Sequence, residues 1–341
     1  MLYSRNKLNR AGDDLIGTDP FKRNDALDLV QQWRETHLPV LQNLNSQIAG
    51  LLSAASVGHA LSSMRIKRMT SIEAKLRNNL AKGMKLGGMQ DIGGIRYVFP
   101  DTVRLEEAKR ALDGFAPEGF TLRRRYDYVA EPKESGYRSI HYVYQYHSDD
   151  PKYDSLSVEL QIRTRLQHAW AMAVETASLI SNTTLKADID NEAEWRGFFK
   201  LVSALFAREE GKPVHARYAG YTQKMLCDEF FEYENKKLIE QLKALRVTVA
   251  SDLATDEKGY CVLTIDFVRR IVHAHVYGVD DYERAAEVFG KVESAINEDE
   301  AALMVAIEKV REIKEAYPSY FLDTKSFLDY LEDFDRKCRL L

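Results

Sequence analysis

Cysteine, proline and long apolar runs are what this chain of 341 residues has least of. Its three cysteines, Cys227, Cys261 and Cys338, are odd in number and widely spaced. That suits neither a disulfide framework nor a thiolate zinc site, so reduced thiols are expected. With 18 glycines and 8 prolines, collagenous and low-complexity classes are excluded. No apolar run reaches the roughly 18 residues of a membrane span. The opening MLYSRNKLNRAGDD has no apolar core before a cleavage site. A cytoplasmic globular protein with no membrane partner is expected. Hydrophobic residues make up 45% of the chain, enough for two or three cores.

Charge is unevenly placed. Residues 60–170 carry 19 Lys and Arg against 14 Asp and Glu, whereas residues 281–341 carry 9 against 15. A basic middle suits a phosphate-bearing ligand, and an acidic tail on the same chain suits a cover for it. Two ordinary solvated surfaces account for the charge equally well.

Apolar spacing over residues 21–60, including Leu27, Val30, Trp33, Leu41, Leu44, Ile48 and Leu51, predicts a helix pair broken near Pro39. A further helix is expected after Thr70. From Ile95 the texture changes to short runs rich in β-branched and aromatic residues: IRYVF, TLRRRYDYV, SIHYVYQYH and LSVELQI. VRLEEAKRALDGF and TRLQHAWAMAVETASLI read as helices packed on that sheet. A helix from Asn191 to about Arg208 and a long one over 218–245 follow. In the tail, LRVTVAS, YCVLTIDF and RIVHAHVYGV read as strands, and 281–296, 300–315 and 324–336 as helices. The fold class is α+β: a mixed β-sheet domain with flanking helices over 1–210, a helical connector over 211–245 and a smaller α+β domain over 246–341.

Four segments gather groups suited to phosphate chemistry. In Arg65-Ile66-Lys67, with Ser71 and Lys75, the last two lie one helical turn apart and offer a hydroxyl beside an ammonium. Asp91-Ile92-Gly93-Gly94-Ile95-Arg96 sets a carboxylate and two glycines before a strand, where the backbone can turn tightly and a ligand approach. Asp91 is a candidate Mg²⁺ ligand. Lys133-Glu134-Ser135-Gly136-Tyr137-Arg138-Ser139-Ile140-His141 presents an aromatic ring beside two cations, suited to stacking on a base. Strand alternation in Val158 to Thr164 puts Glu159, Gln161 and Arg163 on one face. Each segment alone reads more readily as ordinary structure: helix surface, turn aspartate, hairpin aromatic, cross-strand ion pair.

In this order, RxKxxxSIxxK, DIGGIR, DYVAEPKESGYRSIH and VELQIRTRLQHAWA resemble the synthetase domain of the RelA/SpoT homologue family over about residues 60–180. The resemblance implies a nucleotidyltransferase-like fold and transfer of a pyrophosphoryl group from ATP to a ribose 3′-hydroxyl. Arg65, Lys67, Ser71 and Lys75, with Arg96 and Arg104, would hold ATP. Asp91 and Glu159 would bind Mg²⁺, Glu159 also taking the proton from the attacking hydroxyl. Tyr137 would stack on the acceptor base, and Lys133, Arg138, His141, Gln161 and Arg163 would line the acceptor and transferred phosphates. In-line phosphorus chemistry needs little beyond such a set. The chain departs from the WAxxEH ending at Trp170 to Thr176, which puts the role of Glu175 in doubt. It also has no upstream hydrolase signature, so it is expected to synthesise without degrading.

The tail bears Tyr317-Pro318-Ser319-Tyr320-Phe321 after an acidic stretch. Locally this is a helix stop with aromatic packing. A YxxY pair behind a small strand-and-helix domain also resembles the fused toxin–antitoxin members of the toxic small alarmone synthetase group, the CapRel type. That implies a tail like a zinc finger without its ligands, with Tyr317 and Tyr320 plugging the ATP site. It also implies the 3′ CCA end of tRNA as acceptor and a phage protein, typically the major capsid protein, as trigger. GTP or GDP is the alternative acceptor, and a monomer is expected. Cys261, His273 and His275 are too few and badly spaced for structural zinc. Phe327, Tyr330, Leu331 and Phe334 form one stripe, expected to dock on the chain itself.

Overall fold

A computed structural model describes residues 3–181, 192–244, 248–249, 259–266, 268–269, 271–296, 300–307 and 324–340. Three helices lead: α1 (Arg5–Leu15), α2 (Pro20–Glu35) and α3 (His37–Ala54). The break between α2 and α3 falls at Thr36, three residues before Pro39, because proline is accommodated within the first turn of a helix. Then come β1 (Leu61–Ile66), α4 (Met69–Asn78), β2 (Gly93–Phe99), α5 (Thr102–Asp113), β3 (Phe120–Asp127), β4 (Ile140–Tyr146) and β5 (Ser157–Thr164). Helices α6 (Arg165–Ser181), α7 (Glu192–Glu209), α8 (Gln223–Phe230) and α9 (Tyr233–Ala244) follow. The chain continues as β6 (Thr248–Val249), β7 (Gly259–Asp266), β8 (Ile271–Gly278), α10 (Tyr282–Ala295), β9 (Glu300–Ile307) and α11 (Lys325–Cys338). No described helix is long and apolar enough to cross a membrane.

The nine strands among the described residues share one mixed sheet, ordered β3-β4-β5-β2-β1-β9-β7-β8-β6. The β2–β5 pair is parallel and its neighbours antiparallel. The tail strands thus extend the first sheet through a short β1–β9 contact, Met64↔Ala306 and Arg65↔Val305. One sheet face carries Ile95, Tyr97, Tyr142, Tyr144, Val158, Leu160 and Ile162. These share a core with Leu41, Leu44 and Ile48 of α3 and Leu105, Ala108 and Leu112 of α5. A second core joins α6, α7, α8, α9 and α11, dominated by Trp170, Trp195, Phe198, Phe199, Phe206, Phe327 and Phe334.

Four expectations change. EAALMVAI, expected in a helix over 300–315, is strand β9. It lies between β1 and β7, so its apolar residues are wanted on both faces, and periodicity alone does not separate such a run from a helix. LSSMRI, given no element from sequence, is β1. The long helix over 218–245 is α8 and α9, separated at Phe231. Reduced thiols are not found throughout: Cys227 and Cys338 form a disulfide across 111 residues, and Cys261 is free and buried. Sequence spacing hides this pair because packing of α11 beside α8 brings the two Cα atoms to 5.4 Å. The α11 stripe docks on its own chain as expected, with Phe327, Leu331 and Phe334 buried against α7.

Candidate active site

Strand pairing places the site. Arg65↔Gly94, Gly94↔Glu159, Arg96↔Gln161 and His141↔Gln161 are register partners, so these side chains share the sheet face opposite α3 and α5. Gly93 sits inside β2 rather than in a turn. A Cβ there would lie 3.1 Å from the Cβ of His37, so the glycine admits α3 against the strand. Gly136 does turn the chain, with φ of 87°, and a Cβ would meet Ser203 of α7 at 3.0 Å.

A cavity of about 800 Å³ opens over this face. Asp91, Glu159, Lys75, Lys133, His141 and Gln161 all line it. The Nζ of Lys67 is 3.0 Å, and that of Lys75 2.9 Å, from Asp91 Oδ2. Burial alone would push the Asp91 carboxyl up, yet the two ammoniums hold it well below the usual range. Lys67 is in turn lowered by burial, against the pull of Asp91. His141 Nδ1 stands 2.8 Å from Glu159 Oε1, and Gln161 Nε2 donates to Oε2 at 2.6 Å. Burial raises the Glu159 carboxyl, but these two partners bring it down overall, with Asp91 opposing them. The two carboxylates therefore feel one another's charge across one hollow. With Glu159 ionised, His141 donates from Nδ1, and Tyr137 O–H donates to Nε2 at 2.9 Å. Lys133 Nζ lies 4.2 Å above the Tyr128 ring and 5.1 Å from that of Tyr137. Burial lowers its pKa.

His141 and Lys133 also border a second chamber of about 990 Å³, which Tyr137 lines with them. Among the described residues its apolar wall is Trp170, Val174, Trp195 and Phe199. The Asp91 and Glu159 carboxylates line the first cavity and the aromatic rings the second, with Lys133 and His141 common to both.

The remaining expected residues divide. Arg65 pairs with Glu175 at 3.5 Å, so the displaced glutamate does reach the arginine cluster. Burial raises the Glu175 carboxyl, and Arg65, Arg96, Arg68 and Arg163 together bring it below its ordinary value. Arg96 is buried under α6 with Nη1 at 3.9 Å from Met172 Sδ. Arg163 is 1% exposed, and its Nε and Nη2 have no hydrogen-bond partner among the described residues. Burial and neighbouring Arg96 both weigh against its charge. Ser71 is half-buried in the first turn of α4 and does not line the cavity that holds Asp91 and Glu159.

Two expected residues are not brought to the cleft. Arg138 is buried and its Nη1 lies 2.5 Å from Glu210, just beyond α7. It shares parity with Ile140 and Tyr142, whose side chains enter the α3–α5 core, whereas His141 turns to the cleft. Arg104 is on α5, behind the sheet, where it pairs with Glu107 at 2.7 Å.

Sequence reasoning missed Arg123, Arg124, Tyr126 and Tyr128, which line the cavity from β3 and the turn after it. Tyr126 and Tyr128 stack at 5.6 Å with their planes 5° apart. The signal was present in RRRYDY, an alternation of cations and aromatic rings. A register shift between Leu122 and Arg124 is what lets Arg123 and Arg124 both reach the cavity. Arg5 and Lys152 complete its basic rim.

Paired carboxylates, clustered lysines and arginines and an imidazole on a mixed sheet are groups suited to holding phosphates. Residues 64–180 match the family described as "Region found in RelA / SpoT proteins". The chain is 37% identical over 108 residues to GTP pyrophosphokinase YjbM of Bacillus subtilis (strain 168), covering 31% of this chain and 50% of that protein. It is 35% identical over 123 residues to the probable GTP diphosphokinase RSH3, chloroplastic, of Oryza sativa subsp. japonica, covering 36% of this chain and 16% of that one. The aligned part thus spans half, or less, of these relatives. Among solved structures, small alarmone synthetase 1 from Bacillus subtilis bound to its product pppGpp aligns with a TM-score of 0.44 at 25% identity. That alignment covers 53% of this chain and 94% of that one. A GTP pyrophosphokinase family protein from Streptococcus pneumoniae aligns at 0.41 and 22%, covering 51% and 84%.

Proposed function

We propose that the chain is an ATP-dependent pyrophosphokinase that moves the β,γ-diphosphate of ATP to a ribose 3′-hydroxyl. The observation that carries this reading is the shared cavity of Asp91 and Glu159, both held ionised, beneath Lys75 and Lys133. The two carboxylates suit Mg²⁺, a hard cation that takes one or two carboxylates and fills its other positions with phosphate and water oxygens. Bound there, the ion would offset charge on the phosphate oxygens. Arg65, Lys67, Ser71, Lys75 and Arg96 hold the donor. The acceptor base stacks on Tyr137 in the aromatic chamber. Its 3′-oxygen attacks the β-phosphorus, the bond to the α–β bridging oxygen breaks, AMP leaves, and the hydroxyl proton passes to Glu159. His141 and Gln161 fix that carboxylate for the transfer.

The acceptor is read as the 3′ CCA end of tRNA, with GTP or GDP the alternative. The exposed cations Arg5, Arg123, Arg124 and Lys152 around the cavity favour an acceptor that brings a phosphate backbone. In this reading residues 1–210 carry the transfer, 211–245 connect, and 246–341 regulate as an antitoxin-like tail that a phage protein displaces, halting translation. Tyr317 and Tyr320 lie outside the described residues. Support comes from β9, which precedes them in sequence and pairs with β1, the strand bearing Arg65. Expression of Tyr320→Ala without any trigger tests the tail: toxicity supports the plug, harmless growth of it and of Tyr317→Ala defeats it.

Incubating the purified chain with Mg²⁺, γ-labelled ATP and either tRNA or GTP decides the acceptor. Label in tRNA with release of AMP supports the reading, and label only in guanine nucleotide defeats the tRNA acceptor. No label in either, from the wild-type chain or from Tyr320→Ala, defeats the transfer itself.

A further inference from the structure

Helix α4 carries Ser71 and Lys75, yet its own sequence starts it badly. Arg68 stands at the N-cap position and offers no acceptor, and the first turn holds no acidic residue. The missing acceptor comes from 224 residues further on. Glu293 of α10 accepts a hydrogen bond from the Met69 backbone N–H at 2.9 Å. The carboxylate stands where a helix N-terminus favours negative charge.

The same Glu293 is not free to move. Arg34 of α2 pairs with it at 2.6 Å, the two side chains being 1% and 7% exposed. The guanidinium lies 5.5 Å from the ring of Phe289, one turn earlier on α10. Its Nε donates to the carbonyl of Lys67 at 2.9 Å. One buried ion pair thus grips both the start of α4 and the backbone of Lys67. Lys67, and Lys75 in the last turn of the same α4, bear the ammoniums that hold Asp91.

We propose that Glu293 is a positioning residue for the donor-binding segment, acting through Met69 and Arg34 to set Lys67 and Lys75 around Asp91. The proposal rests on the pyrophosphokinase reading for what the segment binds, and adds that the tail, through α10, sets its affinity for the donor. Without the cap the first turn of α4 frays in the free protein, and a donor must restore it before Ser71 and Lys75 are aligned. The apparent affinity falls by the fraction of chains left competent.

The test is calorimetric titration of the full chain with a non-hydrolysable ATP analogue in Mg²⁺, with amide hydrogen exchange measured on the same samples. Two variants are compared with wild type: Glu293→Gln, and the double variant Arg34→Met/Glu293→Leu. The double variant removes the cap without leaving a buried unpaired charge, so it keeps its fold where the single one does not. The expected result is donor affinity weaker by about tenfold in the double variant, the size of one lost cap with its charge. Exchange at residues 69–72 rises while β4 and β5 keep their protection. Wild-type affinity in the double variant, or unchanged exchange at 69–72, overturns the proposal. If neither the wild-type chain nor Tyr320→Ala binds the analogue, the pyrophosphokinase reading is overturned instead, and the exchange measurement still judges the clamp.

Discussion

The two halves of the sheet share one surface and treat it in opposite ways. Across β1, β2, β5 and β4 the cleft face carries Arg65, Arg96, Glu159, Gln161, Arg163 and His141. Continuing through the Arg65↔Val305 pair, the same face of β9, β7 and β8 carries Val305, Leu303, Cys261, Leu263, Ile265, Ala274 and Val272. The second set is buried and apolar throughout. Covering aliphatic side chains is favourable, whereas every charge in the first set needs a counter-charge or access to water. Ion pairs, hydrogen bonds and an open cavity supply this for Arg65, His141, Glu159 and Gln161. Chemistry therefore ends at β1, and the tail strands extend the sheet without adding reactive groups to it.

The sharpest way to break this contrast is to neutralise the charged half at its centre. Glu159→Gln should lower the rate of label transfer by about 10²–10⁴-fold, the usual worth of a positioned base. The thermal transition should move little, because His141 and Gln161 stay beside an amide of the same shape. Near wild-type transfer would mean that the cleft face is structural like its neighbour.

A medium effect concerns acid stability, away from the cleft. His37 is buried at the start of α3, where burial brings its pKa down to about 4 against a donated bond to the Trp33 carbonyl. Because the unfolded chain takes up this proton near pH 6.5 and the folded chain near 4, stability falls as pH drops between those values and levels off below. The loss is on the order of 3 kcal/mol at about 1.4 kcal/mol per unit. Urea denaturation between pH 7 and pH 4 should show this slope, and His37→Gln should flatten it. The same slope in both proteins would exclude His37 as its source.

The smallest effect belongs to Arg104. Behind the sheet and exposed, its replacement by alanine should leave both label transfer and the thermal transition unchanged. A large loss of donor affinity would return Arg104 to the site.

Legibility followed the same division. β5 alternates strictly, so LSVELQI announces both its type and its inward face, and SIHYVYQYH departs from that pattern only at Val143. Asp91, Lys75, Lys133, His141, Glu159 and Gln161 were readable as one group, and they line one cavity. β9 was not, since a strand apolar on both sides carries no period. Arg138 was misplaced because a motif names residues without their parity, and Arg104 because its helix lies on the far side of the sheet. Arg34 and Glu293 were beyond reach: nothing local marks two residues 259 positions apart as partners.

The Cys227–Cys338 bond gives the molecule a covalent topology as well as a fold. Every tail strand, from β6 to β9, lies between its two half-cystines, so the stretch that reaches across to β1 belongs to a closed ring anchored on α8 and α11. While that bond is intact, withdrawal of β9 from β1 is the bowing of a hoop fixed at its base rather than the swing of a loose arm. Its reach is set by the circumference of the ring.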